Sequence, residues 1–171
     1  ALMQIFVYGT LQSAALRLAV AGGAPLAVSA ARLDGYGVLP VAGNVVPLIR
    51  AKAGSVTDGA VLTGITEAQL ARLDAYEGAF GYALIDVDVQ TSDGLRSVKM
   101  YLPPDDIEVG AGDWSFSNWT AGHEEPAVLA ATELFAYVPA LSHAEIRTRW
   151  HMVEKRAWAK VRAKAQIDPT T

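Results

Sequence analysis

Apolar residues recur with two different periods in this chain, and the changes between them predict an alternation of strands and helices. Residues 4–11 form an apolar run rich in β-branched and aromatic side chains, which predicts a buried strand that ends in a turn at residues 8–11. Ala and Leu then recur to about residue 20, ahead of two glycines and a proline, which predicts a helix. The chain is therefore expected to open with a strand, a turn and a helix.

Segments with the period of two that is typical of strands dominate the middle of the chain. The predicted strands cover residues 27–41, 45–50, 59–65, 82–91 and 96–101. Gly35 and Gly37 mark a bend in the first of them, which favours a strongly curved or barrel-like sheet. Residues 54–59 are predicted to connect the second and third strands, and residues 92–94 are typical of a hairpin turn between the last two.

One helix interrupts these strands, and its first residues form a capping box. Thr66 and Gln69 are spaced so that the side chain of each can bond the backbone amide of the other. Apolar side chains then follow at helical spacing, and Gly78 is the expected residue just past the helix end. Glu77 is therefore predicted to lie in the last helical turn.

Helices are also predicted after the last strand. Residues 113–119 predict a short helix whose aromatic side chains cover one side of the barrel, and Pro126 is expected in the first turn of another that reaches about residue 138. A second capping box at residues 142–145 predicts the start of the last helix. Its predicted apolar stripe consists of Ile146, Trp150, Val153, Ala157 and Val161. Its basic residues are Arg147, Arg149, Lys155, Arg156, Lys160, Arg162 and Lys164. Such a run favours a solvated face over a partner or nucleic-acid surface.

Composition places the chain among globular proteins, with 51% hydrophobic and 19% charged residues. A net charge of -4 gives no reason to expect binding to nucleic acid or to an anionic membrane. The sequence has no cysteine, which excludes disulfides and thiolate chemistry and suits a cytoplasmic location. Neither a signal peptide nor a transmembrane helix is expected, because charge or proline interrupts every apolar stretch.

Two motifs together resemble the gamma-glutamylcyclotransferase-like family. That family pairs a strand ending in Tyr-Gly-Thr/Ser-Leu with a later Leu-Asp-x-x-Glu-Gly ahead of a tyrosine-led strand. Here the first motif stands at residues 8–11, the second at residues 73–78, and Tyr82 leads the strand that follows. The strands between the motifs, with the turn at residues 41–43, also resemble the family's strands in the same order.

The resemblance implies an α/β (α+β) fold, with a mixed, curved or barrel-like sheet and flanking helices. It implies a gamma-glutamylcyclotransferase-like domain at residues 1–121 and a C-terminal helical extension at residues 122–171 packed on it. The implied reaction is a cyclisation, in which the alpha-amine of a gamma-glutamyl amine or amino acid attacks the side-chain amide carbonyl of the same molecule. This reaction releases 5-oxoproline and the free amine, and it needs no metal or other cofactor.

The resemblance also implies which residues act. Glu77 is the expected general base and acid. The expected substrate-binding residues are Tyr8, Gly9, Thr10, Leu11, Tyr82 and Tyr101. Amides of the turn at residues 8–11 are expected to bind the developing oxyanion, because the first amides of a helix have no intrahelical partner. An ordinary tight turn after a buried strand is the alternative, and the two later tyrosines are equally compatible with sheet aromatics whose hydroxyls reach the surface.

The position of Glu77 can perturb its carboxyl, although without the resemblance a glutamate that caps the helix or faces solvent is the favoured interpretation. At the C-terminal end of a helix it meets the negative end of the macrodipole, which disfavours its charged form. Shielding by Leu73, Tyr76 and Phe80 would raise its pKa further, into the range where a carboxyl exchanges protons near neutral pH. Asp74 could raise the same pKa, although a solvated or capping role is the simpler expectation.

Other candidates carry less information. His123 with Glu124 and Glu125 has no recognised metal-ligand spacing and predicts the start of a surface helix.

Family members often have arginine where Leu84 stands and different polar residues where residues 12–15 stand, so the resemblance leaves the released amine open. Two other functions also stay open: a small-anion-binding module without turnover, and an interaction protein that uses the basic last helix.

Overall fold

The computed structural model describes residues 2–136 and 142–167 and is centred on a closed barrel of five strands. The strands are β1 (Met3–Val7), β2 (Ala27–Pro40), β3 (Pro47–Ile65), β4 (Ala83–Thr91) and β5 (Gly94–Leu102). They pair in the order β1-β3-β2-β4-β5, and the parallel pairing of β1 with β5 closes the barrel. The other neighbours are antiparallel. The predicted barrel-like sheet and the hairpin between β4 and β5 are confirmed.

The opening apolar run is buried on both sides. Phe6 and Tyr8 belong to the core inside the barrel, whereas Ile5 and Val7 belong to the core between the barrel and its helices. Successive side chains of a strand point to opposite faces, so the part of a strand that lies between two cores is apolar at every position. This explains why residues 5–8 lack the polar alternation seen in the other strands.

β3 runs without interruption from Pro47 to Ile65, so the prediction of two strands connected by residues 54–59 is wrong. Residues 56–60 instead pair directly with residues 30–34 of β2. The predicted bend occurs across from this segment, where the register shifts at Gly35 and its φ of 82° suits only glycine. The glycine-rich sequence therefore curves the barrel wall and forms no turn.

In the part of the chain that the structure describes, four helices pack outside the barrel. They are α1 (Ala14–Ala21), α2 (Glu67–Gly78), α3 (Phe116–Phe135) and α4 (His143–Ile167). The capping box of α2 is confirmed, since the Gln69 amide donates to Thr66 Oγ1 and the Thr66 amide donates to Gln69 Oε1. A 3-10 helix at Thr10–Gln12 precedes α1, which therefore begins later than predicted. Gly78 is the last residue of α2, whereas a position just past its end was expected.

α3 is one continuous helix of 20 residues, so the prediction of two separate helices in this region is wrong. Pro126 lies inside it and cannot donate the usual helical hydrogen bond. Trp119, Pro126 and Ala130 are all buried, and this packing offsets the missing bond. The predicted domain boundary between residues 121 and 122 falls within α3, and the predicted helix end near residue 138 lies outside the described residues.

α4 has the predicted amphipathic character. Ile146, Val153 and Ala157 are buried, and the Glu145 amide donates to the Ser142 hydroxyl at the start of the helix. The predicted basic side chains are exposed, and Lys164 forms an ion pair with Glu125 on α3. The basic side chains of α4 are therefore exposed, as a solvated face requires. No helix in the described ranges is both long enough and apolar enough to cross a membrane.

Replacement of Gly59 by alanine should destabilise the barrel. A Cβ at this position would lie 2.3 Å from the Val7 carbonyl oxygen and 2.7 Å from the Phe6 ring. The carbonyl belongs to β1 and cannot rotate away, so we expect Gly59→Ala to lower the free energy of unfolding by at least about 2 kcal/mol. Urea unfolding measures this change.

Gly122→Ala is the matched control. A Cβ at Gly122 meets no atom within 4 Å, and the residue lies inside α3. Alanine should therefore stabilise the protein by roughly 0.5–1 kcal/mol. Equal unfolding midpoints for Gly59→Ala and the unsubstituted protein would contradict the close approach of β1 and β3.

Candidate active site

A cavity of about 460 Å³ lies at one end of the barrel. Its wall combines the turn after β1, the loop between β2 and β3, the end of α2 and one face each of α3 and α4. The sequence-predicted site residues all line it: Tyr8, Gly9, Thr10, Leu11, Glu77, Tyr82 and Tyr101. A volume of this size is typical of small-molecule sites, which span roughly 300–1,000 Å³.

Glu77 lies in the last turn of α2, where its side chain is half-buried at the cavity. Hydrogen bonds fix the backbone of Glu77 at the end of the helix. The amides of Phe80 and Tyr82 both donate to the Glu77 carbonyl oxygen, at 3.1 and 3.2 Å. Burial raises the pKa of the Glu77 carboxyl from 4.5 to about 8. Two of the three expected shielding residues, Tyr76 and Phe80, line the same cavity. A carboxyl with this pKa can both accept and donate a proton near neutral pH.

Four tyrosines lie within electrostatic reach of Glu77. Burial raises the pKa of Tyr8, Tyr76, Tyr82 and Tyr101, and the negative charge of Glu77 raises each of them further. Their hydroxyls therefore stay protonated at neutral pH and can act as hydrogen-bond donors. The cavity is thus rich in neutral donors around a single perturbed carboxyl.

The hydroxyls of these tyrosines have different partners. The Tyr8 hydroxyl donates to the Tyr101 carbonyl at 2.8 Å, and the Tyr101 hydroxyl donates to the Asp74 carboxylate at 2.6 Å. Tyr101 therefore turns its ring to the cavity and its hydroxyl to an exposed aspartate. The Tyr82 hydroxyl forms no hydrogen bond with any described residue. Asp74 does not contribute to the raised pKa of Glu77, for which burial is the cause.

The turn at residues 8–11 is held rigidly at the cavity. Within it, the Gln12 amide donates to the Gly9 carbonyl at 3.1 Å and the Ser13 amide donates to the Thr10 carbonyl at 3.0 Å. The amides of the preceding residues have no acceptor in such a turn and remain available to a ligand. The Arg17 guanidinium donates to the Leu11 and Gln12 carbonyls at 3.0 and 2.7 Å, which fixes the far side of the turn.

Gly9 lies against the start of β3. A Cβ at Gly9 would come within 2.8 Å of the Pro47 ring, so this position must be small for the start of β3 to pack against the turn. Pro47 itself lines the cavity.

The wall formed by α3 and α4 was not predicted. His123 was expected at a surface helix start, but it lies inside α3, is half-buried, lines the cavity and packs against Trp158 at 5.6 Å. The neighbouring carboxylates point elsewhere, since Glu124 accepts a hydrogen bond from Ser13 and Glu125 pairs with Lys164. Within residues 2–136 and 142–167, no group of three or more potential metal ligands occurs.

The sequence predicted the α4 residues of this wall only as part of a helix and not as part of the site. Arg147, Trp150, His151, Glu154 and Trp158 all line the cavity. Their spacing of three and four residues gives one helical face and is the signal that could have identified them. That signal does not say which neighbour the face meets, so the sequence alone could not assign it to the site.

A closed barrel, with a carboxyl of raised pKa and a turn of available amides in one cavity, defines a small-molecule site suited to acid–base chemistry. Residues 5–116 match the family described as "Gamma-glutamyl cyclotransferase, AIG2-like", and the chain belongs to this family. The family membership and fold that the two motifs predicted are thereby confirmed.

Relatives and solved structures agree with this membership. Protein AIG2 A of Arabidopsis thaliana is 32% identical over 137 residues, which cover 78% of this chain and 79% of that protein. A solution structure of an Arabidopsis thaliana protein is similar with a TM-score of 0.58 and 26% identity, covering 80% of this chain and 90% of that chain. A gamma-glutamyl cyclotransferase structure has the same TM-score of 0.58 at 16% identity, covering 86% of this chain and 87% of that chain, which shows a shared fold.

Glu77→Gln should stabilise the protein in a pH-dependent way. The carboxyl has a pKa of about 8 in the folded state and an ordinary value of 4.5 when exposed. Below pH 4.5 the carboxyl is protonated in both the folded and the unfolded state, so its ionisation does not lower the free energy of unfolding. Between pH 4.5 and 8 it ionises only in the unfolded state, which favours unfolding. The stability advantage of Glu77→Gln should therefore grow with pH by up to about 1.4 kcal/mol per pH unit across this range.

Urea unfolding at pH 5, 6.5 and 8 measures this advantage. Glu67→Gln is the matched control, because Glu67 is exposed in the first turn of the same helix and does not line the cavity. Glu67→Gln should not show the pH-dependent gain in stability, since an acidic group in the first turn of a helix stabilises that helix. A difference between Glu77→Gln and the unsubstituted protein that stays constant with pH would show that the carboxyl is not buried as described.

Proposed function

We propose that the protein cyclises a gamma-glutamyl amine or gamma-glutamyl amino acid to 5-oxoproline and releases the free amine. The observation that carries the proposal is the placement of Glu77, with a pKa raised to about 8, in the same cavity as the turn at residues 8–11. Membership of a family described as gamma-glutamyl cyclotransferase supports the same reaction.

The proposed reaction needs one group that can take a proton and return it. The substrate's alpha-ammonium first loses one proton to solvent, and the resulting amine attacks the gamma-carbonyl carbon to form the new C–N bond of the ring. Glu77 takes a second proton from the attacking nitrogen and gives it to the nitrogen of the leaving amine as the C–N bond to that amine breaks, so 5-oxoproline and the neutral amine are released. Nucleophile and leaving group both belong to the substrate, so the mechanism uses no metal or cofactor.

Charge that develops on the carbonyl oxygen also needs donors. The available amides of Thr10 and Leu11 are the proposed ones, and each well-placed donor contributes roughly 3–4 kcal/mol to transition-state stabilisation. The Tyr82 hydroxyl, which lines the same cavity, is a proposed donor to the substrate. Tyr101 contributes its ring, because its hydroxyl is engaged by Asp74.

Glu77→Gln should reduce the release of 5-oxoproline by about 10³-fold while leaving substrate affinity within a few-fold, because glutamine keeps the shape and loses the proton exchange. With the glutamate present, kcat/KM should rise with pH and level off above about 8, as the carboxyl loses its proton. The rate loss and the pH dependence are both measured by assaying the release of 5-oxoproline from a panel of gamma-glutamyl amines and gamma-glutamyl dipeptides.

The control is again Glu67→Gln, which removes a carboxylate from α2 outside the cavity and should retain full activity. Substrate binding without any turnover by the unsubstituted protein would reject the enzyme and favour a small-anion-binding module. Full activity of Glu77→Gln would reject the role of this residue.

A further inference from the structure

The wall of the cavity formed by α4 carries a second carboxylate, for which the proposed cyclisation has no use. Glu154 lines the cavity and is half-buried. Among the residues that the structure describes, it forms neither a hydrogen bond nor an ion pair. A charged group that is partly withdrawn from water is stabilised only by a partner, so its position favours a ligand that supplies one.

Two tryptophans flank this carboxylate along the helix. Trp150 and Trp158 lie one turn before and one turn after Glu154, on the same face, and both line the cavity. Each of their rings also packs against another aromatic ring. The Trp150 ring packs edge-on against Tyr76 at 5.8 Å, and the Trp158 ring packs edge-on against His123 at 5.6 Å. Tryptophan faces attract cations, so a carboxylate between two fixed tryptophans suits a positively charged group.

Glu154 lies close to the proposed reaction centre. Burial is the main cause of the raised pKa of Tyr76, and the negative charges of Glu77 and Glu154 both raise it further. One tyrosine is therefore within electrostatic reach of both carboxylates. Glu77, Trp150 and Glu154 also line one cavity, so a leaving amine at Glu77 shares that cavity with Trp150 and Glu154.

We propose that Trp150, Glu154 and Trp158 form a subsite for a positively charged group carried by the amine that is released. The role of this subsite depends on the proposed cyclisation, whereas its binding preference can be measured without turnover. The rim of the same wall carries the opposite charge, since Arg147 is exposed two helical turns before Glu154. Its exposure to solvent screens its charge, which is why we favour the cationic ligand over an anionic one.

Three gamma-glutamyl amides of matched chain length test the proposal: those of 1,5-diaminopentane, pentylamine and 6-aminohexanoate. Their far ends are cationic, neutral and anionic. Binding is measured by calorimetry on the Glu77→Gln variant, so that cyclisation does not consume the ligand. We expect the diaminopentane derivative to bind about tenfold more tightly than the pentylamine derivative, and the aminohexanoate derivative to bind most weakly.

Glu154→Gln, added to this variant, should abolish the tenfold preference and leave the affinity for the pentylamine derivative within about twofold. Trp158→Leu should reduce the preference several-fold, since it removes one of the two aromatic faces. Glu125→Gln is the matched control. It removes the same charge from an exposed side chain that pairs with Lys164 outside the cavity, and it should leave the preference unchanged.

Three outcomes would overturn the subsite. The first is equal affinity for the cationic and neutral derivatives, and the second is tighter binding of the anionic derivative. The third is an equal loss of affinity for all three derivatives in Glu154→Gln, which would assign Glu154 to the alpha-ammonium that they share. Failure of the proposed cyclisation would appear separately, as an absence of 5-oxoproline from the unsubstituted protein despite a measurable binding preference.

Discussion

The Glu77 carboxyl is buried with no positive partner among the described residues, and this is the constraint on which the site depends. A neighbouring cation would favour the ionised form and lower the pKa, which would stabilise the fold and remove proton exchange near neutral pH. His123, Arg147 and His151 line the same cavity, yet the raised pKa of Glu77 is caused by burial. The fold therefore tolerates an unfavourable charge at the one position where acid–base chemistry would use it.

The remainder of the fold fixes that carboxyl relative to the turn at residues 8–11. The turn leads into α1, and Glu77 lies in the last turn of α2, so the two groups keep their geometry only if these helices are joined. The Arg72 guanidinium donates to the Val20 carbonyl at 2.6 Å, and the Gln69 side-chain amide donates to the Gly22 carbonyl at 3.0 Å. These bonds tie α2 to the end of α1. Because they connect rigid elements, they hold the two sides of the cavity without relying on flexible loops.

Local signals in the sequence were sufficient for the parts of the fold that local interactions decide. The capping box at Thr66, the hairpin between β4 and β5 and the place of Glu77 at a helix end all follow from neighbours within a few residues. Glycine and proline were misleading where tertiary packing decides. The glycine-rich segment of β3 stays paired because β2 continues alongside it, and Pro126 stays helical because its ring is buried. Neither the pairing with β2 nor the burial of Pro126 can be inferred from the residues of these segments alone.

The groups proposed for the reaction and those proposed for amine selection come from different parts of the chain. Glu77 and the turn at residues 8–11 lie within the family match, which ends at residue 116. Glu154 and its flanking tryptophans lie on α4, beyond that match, and reach the cavity because α3 and α4 pack together across its wall. An amphipathic helix can exchange residues on its cavity face without disturbing the stripe that holds it, since Val153 and Ala157 are buried on a neighbouring stripe of α4. The proposed amine preference can therefore change through α4 while the barrel, the turn and the perturbed carboxyl stay as they are.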